Sequence, residues 1–393
     1  MRIFYAADST PNASINSNLW KHNLYQPLVD LGHDVVEFKY PMTEVFRNLD
    51  PSDRVQRKFI KQSRPKVTSE LLRQVRQANK EKPINAFFSY FYDACVLPEA
   101  IDEIRAMGIV TINWYCNGSY QLHLVSQIAP HYDWCLVPEK FRMDDYRRMG
   151  AHPIYCQEAA NPNIYRPYDF PLEYDVTFVG QAYGERPEYI QYILNRQVCI
   201  RVWGFGWENF LDGGPNGEPE STCTRYAGIL RRLLTLEDQR AVFHKFNNFL
   251  HGVLNGERST HIRLPRAIAG PPLSDDEMIK MYSRSKINLG FSSCGNTHKS
   301  EQRILQVRLR DFEIPMSGGF YMVEWMDELG EFYDIGKEVI CYRDKDEMVD
   351  QIKYFLSHDN EREKIRRAGY ERCLRDHTWH KRFQRVFQEI GLA

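Results

Sequence analysis

The sequence predicts an α/β protein built from two parallel sheets in tandem, each covered by helices. Three observations lead there. The chain has 393 residues, more than one ordinary core encloses. Short apolar runs alternate with stretches of helical periodicity from the first residues to beyond position 340. A segment rich in turn formers, 161–171, separates two such series.

In the first series, residues 3–6 open as a strand. A polar loop follows, then helical spacing through Leu19, Leu24, Leu28 and Leu31. Gly32 supplies the left-handed cap that ends this helix. Residues 34–38 form the next strand, and a βαβ unit of this kind requires parallel pairing. Strands at 86–91, 109–115, 134–137 and 154–157, with helices at 98–107 and 140–149, continue the pattern. The second series has strands at 174–179, 199–203, 286–291, 320–323 and 339–342, and helices near 187–195, 307–314 and 346–358. The expected division is a first domain over 1–165, joined by a C-terminal helix over 377–393, and a second over 172–376. Ligands in such sheets bind beyond the carboxyl ends of the strands, so the cleft between the domains is the expected site.

Two segments stand outside the alternation. Residues 47–82 carry eleven Lys or Arg against four Asp or Glu on a helical background. Contact with an anionic acceptor or a membrane surface is one reading; a solvated helix pair is the preferred one. Residues 208–270 open with a Gly/Pro-rich turn and continue with amphipathic patterns through Phe243, Phe246 and Leu250. They read as an insertion in the second domain that shapes the site or makes an oligomer contact.

Composition narrows the class. The chain is 43% hydrophobic and 26% charged, as in soluble globular proteins. A net charge of −1 gives no field to attract nucleic acid. No apolar run approaches the roughly 18 residues of a membrane span, and the N-terminus lacks the pattern of a signal peptide. The nine cysteines are scattered without a C-x-x-C pair, which suits reduced thiols and a cytoplasmic setting and argues against structural zinc.

The chemistry concentrates in the second series. Strand 174–179 runs into Gly180 and Gln181, then a helix beginning near Arg186. A glycine turn ahead of a helix N-terminus suits a phosphate, and Arg186 adds a charge-assisted partner. Glu313 is a carboxylate in an apolar helical run that breaks at Ser317, Gly318 and Gly319. It either accepts the two hydroxyls of a ribose or pairs with Arg310 one turn earlier. The polar loop 292–302 offers Asn296, His298 and Lys299 for sugar or phosphate contacts, and Arg308 follows near the helix start. Asp344 and Asp346 form the chain's D-x-D and read as a helix cap rather than a metal site. Tyr90, Phe91, Tyr92, Trp114 and Tyr115 near strand ends of the first domain are either core or a stacking surface for an acceptor.

Several stretches carry a family resemblance: DVTFVGQAYGERPEYI, RVWGFGW, MYSRSKINLGF, LRDFEIPMSGGFYMVE and the tail from GKEVICYRDKDEM to AGYERCLRDHTWHKRF. In order and spacing these resemble the CgeB-like glycosyltransferases of group 1 type, most closely from about residue 174 onward. The first half matches through LGHDVVEF, INWYCNG and ANPNIYRP. The resemblance implies a GT-B fold: two Rossmann-like domains facing a cleft, with a nucleotide sugar, a UDP-sugar first among them, held mainly by the second domain. It also implies that a C-terminal helix crosses back to the first. Glu313 is similar to the second, ribose-binding member of an E-x7-E motif, but its first member falls at Leu305, which is not acidic. Cys116, Asn117 and Gly118 stand where relatives often carry acidic residues.

The activity so implied is transfer of a sugar to an acceptor hydroxyl, metal-independent and retaining, with Arg186, Arg310 and the Ser317–Gly319 backbone stabilising the leaving diphosphate. An inverting route needs a base from the first domain; Asp8, then His123, then His22 are the candidates. A nucleotide-sugar epimerase and a non-catalytic, glycan-binding scaffold are the alternatives on the same architecture.

Overall fold

The computed structural model describes residues 1–7, 17–47, 49–212, 262–295, 297–299 and 303–392. Asp8, Asn296 and most of segment 208–270 lie outside the described residues. The first sheet contains β1 (Arg2–Ala6), β2 (Asp34–Glu37), β3 (Ala86–Ser89), β4 (Val110–Trp114), β5 (Trp134–Val137) and β6 (Pro153–Tyr155). Its order is β2-β1-β3-β4-β5-β6, and each neighbouring pair is parallel. Its helices are α1 (Gln26–Asp30), α2 (Arg54–Glu81), α3 (Glu99–Ala106), α4 (Gly118–Gln121) and α5 (Met143–Arg148).

The second sheet contains β7 (Tyr174–Val179), β8 (Ile200–Trp203), β9 (Ala269–Gly270), β10 (Ser285–Gly290), β11 (Tyr321–Glu324) and β12 (Ile340–Tyr342). The order is β12-β11-β10-β7-β8-β9, again parallel at every pairing. Its helices are α6 (Arg186–Asn195), α7 (Asp275–Ser283), α8 (Arg310–Met316), α9 (Lys345–Ser357) and α10 (Asp359–Asp376). Helices cover both faces, so the strands are buried on both sides and read as nearly unbroken apolar runs; all four residues of β3 and of β11 are buried.

A last helix, α11 (Trp379–Glu389), belongs to the first sheet's core although it follows the second sheet in the chain. Trp379, Phe383, Val386 and Phe387 fall at helical spacing and are all buried, forming one apolar stripe. Trp379 meets Trp114 edge-on with ring centres 5.1 Å apart, and Phe383 meets Phe88 likewise at 5.5 Å. Thr378 caps the helix by accepting from the Lys381 N–H.

Where the sequence suggests a helix pair over 47–82, the structure has one continuous helix, α2. Asp53 caps it, accepting from Val55 N and Gln56 N at 2.9 Å. Pro65 lies inside it without ending it. Ile60, Val67, Leu71 and Val75 bury one face on both sides of the proline, and that packing outweighs the local penalty. Lys58, Lys61 and Lys66 stay exposed on the other face. Tyr90, Phe91, Tyr92, Trp114 and Tyr115 are core residues, none more than 3% exposed, which removes them as a stacking platform. Asp344 caps α9, its carboxylate accepting from Glu347 N at 2.8 Å, as the cap reading expects. No helix among the described residues is long and apolar enough to cross a membrane.

Candidate functional site

A cavity of about 720 Å³ lies between the two halves at the carboxyl ends of the strands. Trp20, Asn117, Tyr120 and Glu158 line it from the first half; Arg186, Arg308, Arg310 and Glu313 line it from the second. The back of the cleft is tied across the halves. Asp275, at the start of α7, accepts from Asn18 N at 2.7 Å and lies 3.3 Å from His22 Nδ1.

Close backbone packing makes the floor. A Cβ on Gly180, at the end of β7, would come within 2.5 Å of the Phe178 ring. One on Gly204, where φ is +147°, would come within 2.2 Å of Gly180 O. Only glycine fits there, so no side chain fills the cavity from below. The Gly180 N–H donates to Trp203 O at 2.7 Å, and Gly180 O accepts from the Trp207 indole at 2.8 Å. Gly180 therefore shapes the floor and has no N–H to offer a phosphate. Gln181 beside it is exposed and lines the cleft.

Three arginines crowd one wall. Arg186 leads into α6, and its guanidinium donates to Gln181 O at 3.0 Å and Tyr183 Oη at 2.8 Å. Arg308 donates to Ser293 O at 2.6 Å, and Arg310 to Tyr282 Oη at 2.7 Å. These partners are neutral; among the described residues no carboxylate bonds the guanidinium of any of the three, and Asp311 reaches only the backbone N–H of Arg308. Nε of Arg186 and Nε of Arg308 are buried without any hydrogen bond. Burial first, and then the fields of Arg308 and Arg310, bring Arg186 down to about 10, against an opposing pull from Tyr183. Arg186 is buried and Arg308 and Arg310 are half-buried, so this wall gathers positive charge that suits an anion.

Glu313 sits on α8 beside this wall. It is 2% exposed, and its Oε1 is buried with no hydrogen-bond partner. Burial pushes its carboxyl up, while Arg310 and the nearby Tyr165 hydroxyl hold it back. Arg310 turns to Tyr282 rather than forming the one-turn ion pair that was the alternative for Glu313. A buried carboxylate oxygen left unused is a vacancy for a hydroxyl donor.

Other expected residues fall elsewhere. The Ser317, Gly318 and Gly319 N–H groups donate to Glu313 O, Pro315 O and Ile314 O at 2.9–3.0 Å. They close the C-terminal end of α8, where a helix presents carbonyls, and so cannot hold a diphosphate. His298 and Lys299 lie on a short turn outside the cavity lining; His298 packs near Gly184 and Lys299 is exposed. His123 is largely exposed, 3.9 Å from Asp50, and does not reach the cleft, because the turn carrying it runs along the surface. Leu305 bridges to Ser293 in an antiparallel pair. Sequence reading missed Glu158, Asp275 and Tyr165. Glu158 was findable: it is an acid directly after a strand of the first series, on the cleft side. The other two depend on contacts between the halves.

The whole chain superposes on a sucrose-phosphate synthase from Thermosynechococcus elongatus with a TM-score of 0.54, over 99% of this chain and 98% of that one, at 10% identity. It superposes likewise on HepE from Anabaena, solved with UDP-glucose, with a TM-score of 0.54 over 100% of both chains at 10% identity. The fold is GT-B. AviGT4, a glycosyltransferase involved in avilamycin A biosynthesis, is similar with a TM-score of 0.50 at 13% identity, over 99% and 96% of the two chains. Residues 231–388 of this GT-B chain match the glycosyl transferase-like family model. No curated protein matches it in sequence. The two six-stranded sheets and the returning helix α11 accord with the GT-B expectation from sequence.

Proposed function

We propose that this protein transfers a sugar from a nucleoside-diphosphate sugar to an acceptor hydroxyl, as a retaining, metal-independent, CgeB-like glycosyltransferase. The observation that carries the reading is the wall of three arginines, Arg186 buried and Arg308 and Arg310 half-buried, whose guanidiniums have no carboxylate within hydrogen-bond reach, next to Glu313 with a free oxygen. A diphosphate supplies the missing anion and a ribose the missing hydroxyl donors. A UDP-sugar is the donor of choice, since HepE, on the same fold, is solved with UDP-glucose and with UDP.

The arginines do the work of leaving-group stabilisation. Charge develops on the diphosphate as the glycosidic bond breaks, and preorganised cations in a closed site lower that barrier. Their charge lies where a divalent cation's charge would otherwise serve. Holding donor and acceptor together in the cleft supplies the rest. The retaining assignment draws on the resemblance to group 1 glycosyltransferases; of the base candidates, His123 is remote from the cleft and His22 faces Asp275.

Thermal unfolding against UDP, GDP, ADP, TDP and CMP, with and without magnesium, tests this. One diphosphate at 100 times its dissociation constant should add about 2.7 kcal/mol of stability without magnesium. Glu313→Ala and Arg186→Ala should each remove most of that gain. No shift with any nucleotide would leave a GT-B scaffold without donor binding. The anomeric configuration of the product, read by NMR, decides retention.

A further inference from the structure

We propose that Glu158 is the carboxyl that grips the transferred sugar, supplied by the first half of the chain in place of the acid missing at Leu305. This rests on the nucleotide-sugar reading above and extends it to the sugar end of the donor.

Glu158 follows β6, lines the cleft and is 6% exposed. Its Oε2 is buried with no hydrogen-bond partner. Its backbone is fixed from several sides. Glu158 N donates to Gln157 Oε1 at 2.9 Å, and Gln157 Nε2 donates to Pro138 O at 3.0 Å and to Glu328 Oε1 at 3.2 Å. Arg382 on α11 donates to Gln157 O at 3.1 Å. Contacts from the first sheet, the second half and the returning helix thus hold the turn that presents Glu158 to the cleft, as a substrate-positioning group requires.

The other acids nearby are engaged or stand off the cleft, as does Glu139, whose Oε2 is also buried without a partner. Asp275 accepts from Asn18 and faces His22. Asp311 accepts from Tyr321 Oη at 2.5 Å and Arg308 N at 2.7 Å. Glu139 lies beneath the Gly118 turn, where it accepts from Ser119 N at 3.1 Å, and does not line the cleft. Among the described acids lining the cavity, only Glu158 and Glu313 keep an oxygen without a hydrogen bond. Glu313 stands with the arginines on the second half and suits the ribose. Glu158 reaches in from the opposite half, where the far end of an extended donor would lie.

Burial raises the Glu158 carboxyl well above its usual range, and Glu313 and Glu139 raise it further, with Asp311 adding to them and Arg308 opposing. Cys116 and Tyr90 on the first half also feel its field. A neutral carboxyl both donates and accepts, which matches a sugar hydroxyl.

The test is to titrate UDP and UDP-glucose, with GDP and GDP-mannose in parallel, into the wild type, Glu158→Ala and Glu158→Gln, checking each fold by circular dichroism. UDP or GDP affinity should stay within about twofold across the three. The matching nucleotide sugar should bind about tenfold more weakly to Glu158→Ala, with partial recovery in Glu158→Gln, whose amide keeps a donor. If Glu158→Ala does not fold, Glu158→Gln and Glu158→Asp carry the comparison, Asp being too short to reach. Equal affinity of the variants for the nucleotide sugar would overturn the role of Glu158 alone. A wild type that binds none of these, nor ADP, TDP or CMP, would overturn the donor reading, and the role of Glu158 with it.

Discussion

The two faces of the cleft are built from opposite excesses. The second half brings Arg186, Arg308 and Arg310 close together with no carboxylate bonded to their guanidiniums. The first half brings buried acids with little cationic cover: Glu158, and behind it Glu139, which burial raises to about 7. Each face alone is a poor solution to burial, one with excess positive charge and one with excess acid. A ligand with an anionic end and a hydroxylated end completes both. In the proposed reading, the difference assigns the diphosphate end of the donor to the arginines and the sugar end to the acids.

The sharpest way to break this comparison is to loosen the faces from each other. Trp379→Ala removes the ring that seats α11 on the first sheet, and should destabilise the protein by about 3–5 kcal/mol. Urea unfolding measures it, and nucleotide-sugar affinity should fall with it, because Arg382 on the same helix helps fix the turn before Glu158. A loss confined to stability would show that the faces do not depend on that helix for their register.

Next in size is the cationic face. Arg186→Met should weaken UDP binding by about 2 kcal/mol, roughly 30-fold, the value of a charge-assisted contact. The same change should leave the empty protein as stable as before, or more so, since Arg186 is charged against burial and two neighbouring cations. Calorimetric titration and thermal unfolding together read the two signs. A large loss of stability in the empty protein would mean that Arg186 is a structural residue.

The acidic face gives a smaller effect with a definite pH dependence. Because the folded-state pKa of Glu139 is raised to about 7 from an ordinary 4.5, the folded protein holds more protons between those values. Stability from this group is fully present below about pH 4.5 and is lost as pH rises to about 7. Glu139→Gln mimics the protonated form. It should gain about 1–3 kcal/mol over wild type at pH 8 and nothing at pH 4, by urea unfolding across that range. Asp93, also raised to about 6 by burial, contributes with the same sign in both proteins and cancels in the difference.

Gly204→Ala should have the smallest direct effect on charge while still closing the floor. Its φ of +147° and the 2.2 Å approach to Gly180 O force the strand ends apart, so nucleotide affinity should drop with little change in pH behaviour. Unchanged binding would mean that the floor does not touch the ligand.

The strands were legible because burial on both faces leaves apolar runs that only a parallel sheet explains. Residues 134–137 and 174–179 match β5 and β7 end to end. Arg186, Arg308, Arg310 and Glu313 were legible as a group because charged residues stand out in apolar surroundings near strand ends. What failed was direction. Ser317, Gly318 and Gly319 read as a phosphate loop, yet they terminate α8 rather than start a helix, and their N–H groups are spent on its last carbonyls. Glu158 was within reach of the sequence as an acid just after a strand of the first series, whereas the nearness of Glu313 and Arg308 to it arises only when the halves meet. The helix pair expected over 47–82 became one helix because the apolar face continues past Pro65, a tertiary reward that local signals omit.

The return of α11 also has a consequence for synthesis. The first sheet ends at Tyr155, but the side chains that seal its core, Trp379 and Phe383, are translated roughly 200 residues later. At about 5–20 residues per second the emerging half waits on the order of 10–40 s with part of its core open to solvent. During that interval Trp114 and Phe88, which α11 covers in the finished protein, lack their partners. The half made first is therefore the half finished last, and it is during translation, before any donor can bind, that a chaperone has most to protect.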